Sequence, residues 1–96
     1  ELIMPSDSVM VIDDSSHEYD STLKVLENFS PLVTKGQYFI VEDTVIGEFL
    51  PYGHPDAQAH KAVSEFMQGN EDFQIDRFRE KWFITLNPFG YLEKIR

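Results

Sequence analysis

Short apolar runs and amphipathic segments alternate along the first half of the chain. Residues 8–13 are apolar and β-branched, which predicts a strand. Residues 20–29 repeat apolar positions every three or four residues, which predicts a helix with one apolar stripe. Ser30-Pro31 ends this helix, because proline cannot continue it. The stripe consists of Tyr19, Leu23, Leu26 and Phe29.

The next element is a strand that begins after the Lys35-Gly36 turn. Its residues 38–41 are apolar at four successive positions. Because neighbouring strand side chains point to opposite faces, we expect this strand to be buried on both sides, as in a parallel sheet covered by helices. Strand, helix and strand in this order predict a βαβ unit.

A loop over residues 44–54 leads to a second helix, which is predicted to start near Pro55, a favourable first helical residue. Gly69-Asn70 closes the helix. Its core-facing stripe consists of Ala59, Ala62, Val63, Phe66 and Met67. Residues 72–78 and 81–87 then predict an antiparallel hairpin around Arg79-Glu80, followed by a Pro/Gly turn and a short extended piece.

The order β-α-β-α-β-β predicts an α/β fold: the C-terminal half of a doubly wound, Rossmann-like sheet with an antiparallel terminal hairpin. Such a unit is a poor independent domain, because its first strand needs a neighbour and both sheet faces need helices. We therefore expect residues 1–96 to be the C-terminal part of one domain, with an N-terminal half absent from this chain.

Composition restricts the classes of partner. Seventeen acidic and eight basic residues give a net charge of -9, which argues against nucleic acid and anionic membranes but is compatible with cation binding. The absence of cysteine excludes disulfides, thiolate zinc sites and cysteine nucleophiles. No apolar run approaches the ~20 residues that span a bilayer. We expect a cytoplasmic protein.

Acidic residues follow both predicted parallel strands. The first strand ends in Asp13 and is followed by Asp14 and then His17, and Glu42 and Asp43 follow the second strand. Ligands collect beyond the carboxyl ends of such strands, and converging carboxylates repel one another unless a cation lies between them. Mg²⁺ prefers oxygen ligands of this kind. Capping of the next helix, or binding of water, is the alternative for each acid.

Several motifs resemble the cephalosporin hydroxylase / rhamnosyl O-methyltransferase family of S-adenosylmethionine-dependent, Mg²⁺-dependent O-methyltransferases and their relatives. They cover nearly the whole chain: D-S-x-H at 14–17, P-L-V-x-x-G-x-Y-x-I-V-E-D-T at 31–44, A-x-x-x-F at 62–66, D-F-x-x-D at 72–76 and N-P-x-G-Y-L at 87–92. The resemblance implies the C-terminal half of a class I methyltransferase sheet. The intervals of 28 and 29 residues from Asp14 to Glu42 and Asp43 also match those of metal-dependent catechol-type methyltransferases.

The resemblance implies roles for individual residues. Asp14, Glu42 and Asp43 correspond to Mg²⁺ ligands. His17 corresponds to a general base that takes the proton of an acceptor hydroxyl on a sugar or another secondary metabolite; capping of the helix, or ligation through water, is its alternative. Asp13 lies outside the matched ligand set. It is interpreted as structural or, together with Ser15, as lying at the edge of the cofactor.

S-adenosylmethionine needs more than this segment. The sequence has no glycine-rich strand-to-helix turn for the methionine end of the cofactor, so the segment alone is expected to bind it weakly and to be inactive. The alternative function is a non-catalytic α/β module that binds a divalent cation or a protein partner through its acidic edge.

Aromatic and basic residues elsewhere have less specific interpretations. Loop 45–53, with Phe49 and Tyr52, is interpreted either as a lid or acceptor wall or as a plain connection. Trp82 and Phe83 are assigned to the hairpin core or to the interface of a homo-oligomer. His54 is interpreted as a residue at the start of the second helix, and His60 as a solvated residue. The basic cluster of Arg77, Arg79 and Lys81 is interpreted as a solvated turn.

Overall fold

A computed structural model describes residues 3–46, 57–80 and 85–96. These residues form two α-helices and four strands, with two short 3₁₀ turns at Ser30–Leu32 and Arg77–Arg79. In chain order the main elements are β1 (Val11–Asp13), α1 (Tyr19–Phe29), β2 (Tyr38–Val41), α2 (Ala59–Gln68), β3 (Phe73–Ile75) and β4 (Tyr91–Lys94). The predicted α/β class is confirmed.

The four strands form one mixed sheet in the order β1-β2-β4-β3. β1 and β2 are parallel, with Asp13 opposite Val41, which confirms the predicted βαβ unit. β4 lies antiparallel between β2 and β3, with Leu92 opposite both Phe39 and Ile75. The strand that comes last in the sequence therefore occupies an interior position in the sheet.

One face of the sheet carries the core. The row formed by Val11, Phe39, Leu92 and Ile75 packs against the apolar stripes of both helices. Phe39 and Leu92 are fully buried there, as is Leu26 of α1. The stripe predicted for α2 is confirmed, since Ala59, Ala62, Val63 and Phe66 are all buried. Burial of this kind stabilises a fold by about 25 cal/mol per Å² of apolar surface.

The opposite face is less covered than the sequence predicts. Burial alternates along β2, with Phe39 and Val41 buried and Tyr38 and Ile40 only half-buried. On the neighbouring segment Met10 is 51% and Ile12 52% exposed. The prediction that β2 is buried on both sides is therefore wrong for the part of the chain that the structure describes. The buried residues of α1 and α2 belong to a single cluster with Phe39 and Val41. Both helices therefore cover the same face of the sheet and leave the other face without a helix among the described residues.

Two boundaries also differ from the predictions. Helix α2 begins at Ala59, not near Pro55, and Ala57, two residues before it, pairs with Glu18 in an isolated antiparallel bridge. The antiparallel edge is confirmed, with β3 paired to β4; the predicted partner segment, residues 81–87, lies partly outside the described residues. Asp76 ends β3 by accepting a hydrogen bond from the Phe78 amide, which starts the second 3₁₀ turn.

Some predictions fall outside the described residues. These concern most of the proposed lid loop, with Phe49 and Tyr52, and also His54, Lys81, Trp82 and Phe83. Within the described ranges no helix is long and apolar enough to cross a membrane.

Candidate metal centre

Parallel pairing brings the ends of β1 and β2 to the same edge of the sheet. The ladder extends one step past the strands, since the Glu42 amide donates to the Asp13 carbonyl at 3.0 Å. The polar segments that follow the two strands are therefore neighbours, as the positions of the acids in the sequence predict. The next residues on each side are Asp14 and Asp43.

The two aspartates after β1 differ in their surroundings. Asp13 is only 6% exposed and lies on the same side of the sheet as Val11. Its Oδ1 accepts a hydrogen bond from the Ser15 amide at 3.1 Å, which turns the chain sharply after the strand. The Asp14 side chain is 63% exposed and points away from the core. These positions agree with a structural interpretation of Asp13, while its contact with a cofactor stays a prediction.

His17 connects the two strand ends. Its Nε2 lies 3.1 Å from Asp43 Oδ2 and 3.8 Å from Asp14 Oδ1. The side chains of His17 and Asp43 are both about three-quarters buried, with exposures of 23% and 24%. One ligand atom from each of Asp14, His17 and Asp43 lies within 4.8 Å of the others, a spacing at which one cation would contact all three.

Glu42 lies beside this group without being one of the three. Desolvation raises the pKa of its carboxyl, and the negative charges of Asp14 and Asp43 raise it further. A side-chain hydrogen bond with Asp14 acts in the same direction. Carboxylates this close repel one another unless a positive charge lies nearby. His17 acts against this repulsion and lowers the pKa of Glu42. The four predicted site residues Asp14, His17, Glu42 and Asp43 are thus neighbours at one edge.

Left-handed backbone is concentrated at this edge. Among the described residues, the non-glycine residues with positive φ are His17 (62°), Asp43 (56°) and Phe89 (61°). Each such residue costs about 1–2 kcal/mol relative to ordinary backbone. Strained residues of this kind cluster at functional sites when surrounding contacts hold them. The side chains of these two residues, His17 and Asp43, are in direct contact across the site, at 3.1 Å.

A loop from the end of the chain supports the turn that follows β2. The loop over residues 86–90 runs beside residues 41–45 and exchanges several hydrogen bonds with them. Asn87 Oδ1 accepts from the Asp43 amide at 2.8 Å, and the Thr44 hydroxyl donates to the Pro88 carbonyl at 2.6 Å. Two backbone bonds flank these, Val41 N to Gly90 O (2.8 Å) and Val45 N to Leu86 O (3.1 Å).

The same loop is anchored on its other side. The Glu80 carboxylate, 7% exposed, accepts from the Phe89 amide at 3.1 Å and pairs with Arg77. The Arg77 guanidinium lies 3.9 Å from the centre of the Phe89 ring, and the His60 ring meets that ring edge-on at 5.2 Å. His60 is half-buried, so its prediction as a solvated residue is wrong, and Arg77 forms specific contacts within its turn.

The position of this loop beside the site does not follow from the sequence pattern. The closing N-P-x-G-Y-L motif served only as a mark of resemblance, although its glycine gives a physical signal. A Cβ on Gly90 would collide with the Val41 carbonyl and would lie 3.1 Å from the Asn87 carbonyl. A glycine required by close backbone approach indicates that this loop is packed tightly against another strand.

The donor set fits a hard or borderline divalent cation. Two carboxylates and one imidazole surround a common position, and a third carboxylate lies adjacent. Carboxylate oxygens suit Mg²⁺, Ca²⁺ and Mn²⁺, whereas imidazole also suits the later transition metals. The arrangement would hold a cation at the surface edge of the sheet, with room on the exposed Asp14 side for oxygen atoms of a second molecule.

Comparison with known proteins bears on the family. No curated protein and no solved structure matches the chain. The family model described as rhamnosyl O-methyltransferase/CmcI matches residues 1–95, which is nearly the full length. This agrees with the resemblance carried by the motifs around Asp14, His17 and Glu42-Asp43, so the chain belongs to the rhamnosyl O-methyltransferase/CmcI family, a family of O-methyltransferases.

Proposed function

We propose that the chain provides the metal-binding and base-containing part of an S-adenosylmethionine-dependent, Mg²⁺-assisted O-methyltransferase. The observation that carries this proposal is the convergence of Asp14, His17 and Asp43 within 4.8 Å, in a chain of a methyltransferase family. The acceptor would be a hydroxyl group of a sugar or another secondary metabolite. The chemistry of the site supports an acceptor with oxygen atoms that can share a cation.

Asp14, Glu42 and Asp43 would hold the Mg²⁺ ion. The pKa of Glu42 is raised by desolvation and, in addition, by the charges of Asp14 and Asp43. This repulsion supports the assignment, because a divalent cation would offset it. When bound, Mg²⁺ lowers the pKa of a coordinated hydroxyl, and S-adenosylmethionine supplies the methyl group. Asp14 is the most exposed of the four site side chains, which suits a ligand facing the acceptor.

His17 would accept the proton of the acceptor hydroxyl. An imidazole titrates near neutral pH, which suits a general base. Without a cation its Nε2 is close enough to Asp43 to share a hydrogen bond. A cation that engages the Asp43 carboxylate would weaken this bond, leaving Nε2 available to the acceptor. The left-handed backbone of His17 directs its ring towards the second strand and thus supports this role.

The cofactor would be bound mainly by another part of the same domain. The partly exposed sheet face with Met10 and Ile12, and the unpaired outer edge of β1 among the described residues, support a neighbouring half that covers them. Within this arrangement Asp13 and Ser15 would lie near the edge of the cofactor. Asp13 would act mainly through its hydrogen bond to the Ser15 amide.

Mg²⁺ titration of the full-length protein tests the ligand assignment. Asp14→Asn should weaken Mg²⁺ binding, measured by calorimetry, by about ten-fold or more, since it removes a ligand charge. The control is Glu27→Gln, which removes the same charge from an exposed position on α1 and should leave the affinity unchanged. Equal affinities for Asp14→Asn and the wild type would refute the site.

His17→Ala distinguishes a base from a ligand. As a base, His17 contributes about 10²–10⁴-fold to the methyl-transfer rate, with Mg²⁺ affinity nearly unchanged. If affinity falls as much as for Asp14→Asn, His17 is a metal ligand instead, as its place in the three-residue group also permits. A protein that binds Mg²⁺ through Asp14 but not S-adenosylmethionine would favour the alternative of a cation-binding module without catalysis.

A further inference from the structure

We infer that Asn87 is a positioning residue for the metal centre: its side-chain amide fixes the backbone of Asp43 and thereby directs the Asp43 carboxylate into the site. Asn87 lies at the start of the closing N-P-x-G-Y-L motif, far from the site in sequence. The inference rests on the proposed function, because it concerns how one proposed Mg²⁺ ligand is held.

Asp43 needs external support to keep its conformation. Its backbone has a φ of 56°, a region that residues with a Cβ rarely adopt. The turn supplies one local backbone bond, from the Ile46 amide to the Asp43 carbonyl at 3.1 Å. The Asp43 amide itself donates to the Asn87 side chain at 2.8 Å. Asn87 therefore satisfies the amide of the residue whose backbone is strained.

Asn87 is itself held firmly in place. The backbone amide of Asn87 donates to the Thr85 hydroxyl at 3.1 Å, and its backbone carbonyl accepts from the Gly90 amide at 2.9 Å. Its side-chain Nδ2 donates to the Tyr91 hydroxyl at 3.3 Å, which orients the amide so that Oδ1 faces Asp43. A side chain fixed at both ends of its amide group can transmit a defined position to its partner.

The residue type suits the electrostatics of the site. Asp14, Glu42 and Asp43 already bring three carboxylates close together at this edge. A neutral amide oxygen accepts the Asp43 hydrogen bond without adding a fourth negative charge. An amide also donates to Tyr91, which a carboxylate does not do. The asparagine side chain thus supplies both a hydrogen-bond acceptor for Asp43 and a donor for Tyr91 without adding a charge.

Three variants of the full-length protein test the inference. Asn87→Leu removes the acceptor at similar volume, and it should raise the Mg²⁺ dissociation constant about ten- to hundred-fold, the usual effect of losing a partner that orients a metal ligand. Tyr91→Phe removes only the hydroxyl that orients the Asn87 amide and keeps the Asn87 acceptor, so it should raise the constant by less than Asn87→Leu does. If Asn87→Leu does not fold, Asn87→Ala gives the same comparison.

A measurement on the metal-free protein separates positioning from a general loss of stability. Amide hydrogen exchange, followed by NMR, should show Asp43 deprotected in Asn87→Leu but protected in Asn87→Asp, which keeps the oxygen acceptor. The Val41 amide, which bonds to Gly90, should stay protected in both variants. Uniform deprotection of Val41 and Asp43 in Asn87→Leu would mean that the loop has simply detached, and would overturn the specific role of Asn87.

The outcomes also separate this inference from the proposed function. Unchanged Mg²⁺ affinity in Asn87→Leu, beside a clear loss in Asp14→Asn, would overturn the positioning role and leave the metal site intact. Unchanged affinity in both variants would refute the metal site, and the positioning of a ligand with it. Loss of affinity in both, with Asp43 alone deprotected in Asn87→Leu, is the result that supports the inference.

Discussion

Gly90→Ala tests how closely the last loop is packed against β2. Gly90 is buried, and its carbonyl accepts the Val41 amide at 2.8 Å. A Cβ at this position would collide with the Val41 carbonyl and would lie 3.1 Å from the Asn87 carbonyl and 3.2 Å from the Asn87 Cβ. All three neighbours are backbone or Cβ atoms, so none can move aside by a change of rotamer.

The cost follows from the movement that this clash requires. Forcing an extra methyl group into a packed site costs about 1–3 kcal/mol. Moving the loop away from β2 also weakens the Val41–Gly90 hydrogen bond, which contributes about 0.5–1.5 kcal/mol. We therefore expect Gly90→Ala to lower the free energy of unfolding by about 1.5–4.5 kcal/mol, the sum of the two contributions. The same displacement carries Asn87 away from Asp43 and should weaken Mg²⁺ binding in molecules that remain folded.

Gly69→Ala is the matched control. Gly69 follows α2 with a φ of -104°, and a Cβ there would have no neighbour within 4 Å. Alanine should change stability at this position by less than about 0.5 kcal/mol, as is usual for surface substitutions. Urea unfolding of the two variants and the wild type, followed by circular dichroism, measures the difference. A Gly90→Ala protein within about 0.5 kcal/mol of Gly69→Ala would refute the close packing of the loop.

Two further predictions use pH. Desolvation and the charges of Asp14 and Asp43 raise the pKa of Glu42, so its ionised form destabilises the metal-free fold. Glu42→Gln should therefore raise the free energy of unfolding at neutral pH. This gain should vanish when the pH falls below 4.5, the ordinary pKa of a glutamate, because the carboxyl is then protonated in both the folded and the unfolded state. Tyr38 donates to Asp76 at 2.6 Å, and this hydrogen bond raises the Tyr38 pKa. Tyr38→Phe should lower the urea midpoint at neutral pH, and the difference should shrink as the pH rises above 10.0, through the raised pKa. For either variant, a difference in stability from the wild type that does not change with pH would contradict the assignment.

The first half of the chain was predictable because its signals are local. The apolar stripe of α1, the stop at Ser30-Pro31 and the apolar run of β2 each depend on short-range spacing. The structure confirms the helix, its end and the strand, although Phe29 of the predicted stripe is 46% exposed. The order of the sheet was not predictable from such spacing. Which strand pairs with β3 depends on contacts between residues far apart in the chain, and the turn at 77–79 resembled a hairpin turn in sequence.

The candidate site was predictable to the same extent. Asp14, Glu42 and Asp43 follow apolar strands, so parallel pairing alone brings them to one edge. The contact between His17 and Asp43 depends on left-handed backbone at both residues, which no sequence pattern specifies. The role of the Asn87 loop depends on the antiparallel position of β4 between β2 and β3. The sequence pattern instead predicts residues 81–87 as the partner of β3.

The orientation of β4 explains how the end of the chain reaches this site. Because β4 is antiparallel to β2, the loop that precedes it lies at the carboxyl end of β2, beside the turn that contains Asp43. A parallel strand at this position would place its preceding loop at the opposite edge of the sheet. The pairing of β4 with β2 and the ordered turn at Asp43 therefore form together. By linkage, a cation that binds only the ordered Asp43 turn must also stabilise the docked β4. Metal binding at the proposed site would thus depend on the pairing of β4.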